Sequence, residues 1–100
     1  MATIKINDFT AEFDVFELEN ARNYRDGLNA VSLALEEAKT ETDFVTAIEK
    51  RCNAIFAFID LLFGEGTHKK IFGNSVNLRP CLAVYKSIIE QITADIQEQK

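Results

Sequence analysis

Apolar and polar residues alternate from Thr3 to Val15, and then the period changes. Ile4 and Ile6 alternate with Thr3 and Lys5. Phe9, Ala11, Phe13 and Val15 alternate with Thr10, Glu12 and Asp14. Period two marks a strand with one buried face. Asn7-Asp8 separates the two runs, and both residue types tolerate positive φ. Residues 3–13 are therefore expected to form a β-hairpin with a two-residue loop. In that register Ile6 faces Phe9 and Ile4 faces Ala11. An isolated hairpin is marginal in water, so this one must pack on helices or on another chain.

From about residue 16 the spacing becomes helical. Ala21, Tyr24, Leu28, Val31, Leu35 and Ala38 recur at intervals of three and four, predicting a first helix over 16–39. Gly27 lies inside that seam at ~1 kcal/mol relative to Ala. It either admits a second helix at close range or is merely tolerated. Thr40–Asp43 is a polar break, with Thr42 or Asp43 able to cap a second helix over 42–63. So short a connection makes the two helices antiparallel neighbours. Phe44, Ile48, Cys52, Ile55, Phe56, Ile59, Leu62 and Phe63 share one face of the second helix. Ala54, Ala57, Phe58 and Leu61 spread its apolar surface around the last turns, so other elements must wrap it.

Gly64 and Gly66 let the chain leave that helix with positive φ. Thr67 then caps a short helix within 67–73, closed by Gly73. Asn77 caps the last helix, 78–97, and Pro80 fits its first turn. Its stripe is Leu82, Tyr85, Ile89, Ile92 and Ile96, flanked by Cys81, Val84, Ile88 and Asp95. The expected fold is mainly α, an N-terminal β-hairpin followed by a three-helix bundle with one short extra helix. Residues 1–100 form a single domain, with Ile48, Cys52, Ile55, Ile59, Leu82, Tyr85 and Ile89 in one core.

Charge and cysteine content narrow the function. The net charge of −5 argues against a nucleic-acid binder, which usually shows a basic face. Cys52 and Cys81 fall on apolar faces without a CxxC spacing. They read as reduced core thiols of a cytoplasmic protein, not as a zinc site or redox pair. Lys5 and Asp8 interrupt the start, so no signal peptide is expected. Ala54–Phe63 contains Asp60 and falls short of the roughly 20 apolar residues of a membrane span. Gly64 and Gly66 near Lys69 and Lys70 do not make a phosphate loop, because GxxxxGK[ST] and a preceding strand are both missing. His68 has only Glu65 beside it, which suits a turn or capping role and not a metal site. Cysteine–histidine catalysis would need an exposed thiol. Glu36, Glu37 and Glu41 read as a solvated face, and Arg22 and Arg25 as surface ion pairs. No cofactor and no catalytic residue are expected.

Phenylalanine is the informative surplus, with eight Phe and no Trp. Either a tight monomeric core absorbs the rings, or some line a self-association surface or a groove for an apolar partner segment. Phe16, where the hairpin enters the first helix, and Phe72, beside the glycine-bounded turn, sit at element ends where burial is least assured. They are the candidate partner-binding residues.

Three stretches carry a resemblance: the hairpin leading into FDVFELENARNYRDGL, the segment LFGEGTHKKIFG, and NLRPCLAVYKSIIEQI. Across residues 4–96 the chain resembles small tail-module proteins of phages and prophages of Gram-positive bacteria, which look like tail assembly chaperones. Leu62-Phe63-Gly64-Glu65-Gly66 followed by Ile71-Phe72-Gly73 is the most specific part. The chain departs from the pattern at Asn7-Asp8, where a glycine-containing turn is expected. The resemblance implies a non-enzymatic protein of the host cytoplasm that binds a long, helical, apolar tape measure protein. The other readings are a small regulatory or host-interaction protein acting through one partner, and a structural component retained in the tail.

Overall fold

The computed structural model describes residues 2–98. Its elements are β1 (Ala2–Ile6), β2 (Phe9–Phe13), α1 (Leu18–Lys39), α2 (Phe44–Phe63), α3 (Thr67–Phe72) and α4 (Leu78–Glu98). The fold is mainly α with an N-terminal antiparallel hairpin, as the change of period predicts. The hairpin pairs Ile6 with Phe9 and Ile4 with Ala11. Asn7 takes φ 52° in its loop, a conformation that asparagine enters more readily than most residues. Ile4, Ile6 and Phe13 turn inward and are buried.

α1 begins at Leu18, two residues later than its periodicity suggests. Asp14 explains the delay. Its carboxylate accepts from the Phe16 N–H at 3.1 Å. Its carbonyl accepts from the Glu17 N–H at 3.2 Å and from the Asn20 amide at 3.0 Å. A turn is fastened there before the helix can start. Asp43, not Thr42, caps α2, accepting from the Thr46 N–H at 3.2 Å.

α2 is the central element, packed by α1, α3, α4 and β2. Cys52, Ile55, Phe56, Phe58 and Ile59 are its buried residues. Two expectations for its N-terminal turns fail. Ile48 is only half-buried and Phe44 is 67% exposed. The buried residues of α2 run from Cys52 to Ile59, and Ile48, a turn earlier, packs only at the margin of the core.

Gly27 admits close helix packing. A Cβ built there would lie 2.7 Å from Cδ1 of Phe58. The Phe58 ring in turn meets Tyr24 of α1 at 6.3 Å and Tyr85 of α4 at 5.1 Å. One buried ring thus joins all three long helices.

α4 is rotated from its expected setting. Its buried stripe is Cys81, Val84, Ile88, Ile92 and Asp95, the residues read as flanks. Leu82 is exposed, and Tyr85 and Ile89 are half-buried. Cys52 and Cys81 are fully buried and unjoined. Burial, with the neighbouring Cys52 thiol adding to it, pushes the Cys81 thiol up to about 12.

Candidate functional site

The segment with the most specific motif of the resemblance is built around α3. Gly64, Gly66 and Gly73 all take positive φ, at 112°, 86° and 65°. The cap of α3 is therefore Gly66, not Thr67. Thr67 is the first helical residue, and its hydroxyl donates to the Gly64 carbonyl at 2.7 Å. Asp60, in the last turn of α2, supplies the side-chain anchor. Its carboxylate accepts from the His68 N–H at 3.0 Å, and the other oxygen pairs with His68 Nδ1 at 2.9 Å. The His68 ring stacks on Phe56 at 4.6 Å. Burial pushes the Asp60 carboxyl up, but the His68 N–H, ring and charge pull it down further, so it ends below its usual range. His68 and Asp60 are thus committed to fastening α3 under α2.

Phe72 follows from that arrangement. It is half-buried, with its ring 5.5 Å from Phe56. Phe16 is different: it is 53% exposed, in the turn that Asp14 holds ahead of α1. Of the two candidate residues, Phe16 is open to a partner and Phe72 is largely part of the α2–α3 contact.

A further opening lies elsewhere. Phe44 and Ile48 of α2, Ser75, Val76 and Asn77 of the connector, and Leu78 and Arg79 at the start of α4 line a groove of about 480 Å³. Phe44 and Val76 are more than half exposed. Sequence reasoning assigned Phe44 to the buried face and did not single out Val76. Two weak signals point to them. Phe44 directly follows the cap, where a helix has no preceding turn to shelter it, and Val76 is the one apolar residue in Asn74–Asn77. Phe16 lies by the opposite end of α1, a helix about 33 Å long. The structure therefore holds two separate exposed aromatic positions.

Among the described residues no helix is long and apolar enough to cross a membrane, and no three His, Cys, Asp or Glu side chains cluster as metal ligands. The fold and its groove define a small α-helical protein with an N-terminal hairpin and an open apolar surface. The chain belongs to DUF6673, a family of unknown function whose profile matches residues 7–100. No curated protein and no solved structure matches it.

Proposed function

We propose that this chain is a non-enzymatic tail assembly chaperone, acting in the host cytoplasm on an apolar helical segment of a phage tape measure protein. The groove around Phe44 and Val76 is the observation that supports this reading, because an amphipathic helix docks by laying apolar side chains into such an opening. Phe16 adds a second apolar contact. The acidic remainder of the surface keeps a complex with an aggregation-prone client dissolved. The resemblance of LFGEGTHKKIFG to the tail-module proteins supplies the identity of that client.

Co-expression with a phage tape measure protein tests the reading. The client should move from the pellet to the soluble fraction when the chain is present and return to the pellet with Phe44→Ser. Equal solubility without the chain overturns the proposal. Mass spectrometry of finished particles separates it from a structural tail role, since a chaperone leaves the particle.

A further inference from the structure

The hairpin has two outer edges, and the molecule treats them differently. The Lys5 N–H donates to Gln91 Oε1 at 2.9 Å, and Gln91 Nε2 donates to the Lys5 carbonyl at 3.0 Å. A side-chain amide of α4 thus occupies the outer edge of β1 as a neighbouring strand would. The same two bonds show that the backbone of Lys5 points away from β2. Lys5 is paired with Thr10 and Thr3 with Glu12, so the backbones of Thr10 and Glu12 point outward on the other edge. Among the described residues no group is hydrogen-bonded to them.

We infer that the free edge of β2 pairs with β2 of a second copy, antiparallel and centred on Ala11, giving a two-fold dimer through a four-stranded sheet. The strand Phe9-Thr10-Ala11-Glu12-Phe13 is close to a palindrome. Outward residues can pair only with outward residues, which leaves three registers. Centring on Thr10 pairs only residues 9–11 of each strand, and centring on Glu12 pairs only residues 11–13 and sets Glu12 against itself. Like charges directly opposite are destabilising. Centring on Ala11 sets Thr10 against Glu12 twice, each pair exchanging both backbone bonds, with Ala11 against Ala11 on the axis. Phe9 faces Phe13 of the other copy on the apolar side. Asp8 and Asp14 are the next pair out and lie beyond the strand ends.

The burial pattern leaves room for the second copy. Ile4 and Ile6 of β1 are buried, whereas Phe9 and Ala11 of β2 are half-buried. The helical layer therefore covers β1 more fully than β2. The rings of Phe9 and Phe13 lie 6.0 Å and 5.9 Å from Phe63, forming an aromatic cluster beside the open edge. A two-fold axis at Ala11 brings two such clusters together as an isologous contact. Five paired residues a side make a small interface, so the dimer is weak and concentration-dependent.

Sedimentation equilibrium of the full chain tests this from the micromolar range to about 1 mM. The mass should rise from 11.3 kDa toward twice that value. Thr10→Glu places two carboxylates opposite each other across the axis, while within its own hairpin the new side chain faces Lys5. It should weaken association at least tenfold with no loss of thermal stability. Thr10→Glu combined with Glu12→Thr restores the complementary pairs and should restore the dimer. A wild-type chain that stays monomeric throughout overturns the inference, as does a Thr10→Glu variant that dimerises like wild type. The inference is independent of the client reading, because neither substitution touches the Phe44 groove.

Discussion

At the scale of single residues, Gly27 and Phe58 form a close contact between α1 and α2. Phe58 is 1% exposed and held between Tyr24 and Tyr85, so it has no direction in which to retreat from a Cβ at 2.7 Å. Gly27→Ala gains ~1 kcal/mol of helix propensity. Overpacking a full core costs about 1–3 kcal/mol. The net effect should be a loss of about 1 kcal/mol, read as a lower denaturant midpoint, and larger side chains should do worse. A gain in stability would mean that Phe58 yields. Asp95 is the opposite case, since one of its buried carboxylate oxygens has no partner among the described residues. Such an oxygen forfeits about 1–3 kcal/mol.

At the scale of elements, α3 is too short to hold itself and depends on Asp60. Because the folded Asp60 carboxyl ionises below its usual value of 3.8, its contribution is complete above that value. It is lost as pH falls through the lower, folded value. Melting temperatures of wild type and Asp60→Asn should differ above about pH 5 and converge toward pH 2. A gap that persists in acid would assign the effect to packing. The hairpin register was legible from sequence because a period of two and a two-residue loop permit one pairing that buries Ile4 and Ile6 together. The rotation of α4 was not. Its apolar residues cover more than half the circumference, and the stripes through Leu82 and through Cys81 both contain Ile92. Only the positions of α2 and β1 decide between them. The groove was illegible for a related reason. Phe44 and Val76 belong to different elements, and no period links a helix turn to a connector.

At the scale of the whole molecule, exposed apolar side chains sit apart from the core. Phe16→Ser and Phe44→Ser should each leave the melting temperature nearly unchanged, since both residues are more than half exposed. Phe72→Ser should lower stability by about 2 kcal/mol, roughly 10 °C, because it removes a half-buried ring from Phe56. Thermal melts of the three variants check the partition between surface and core. A stable Phe72→Ser variant would return Phe72 to the surface class. Only variants that stay folded can then report on the proposed client binding.

The bond pair between Gln91 and Lys5 joins residues 86 apart. It therefore sets an order of events during synthesis. The hairpin is local and can close within microseconds. Its clamp does not yet exist when it leaves the ribosome. At ~5–20 residues per second, Gln91 follows Lys5 by about 4–17 s. Throughout that interval both edges of the nascent hairpin are open, and Ile4 and Ile6 have no α4 to cover them. Neighbouring chains on one polysome meet each other in this state, so a ribosome stalled before α4 releases a product with two strand edges available for aggregation.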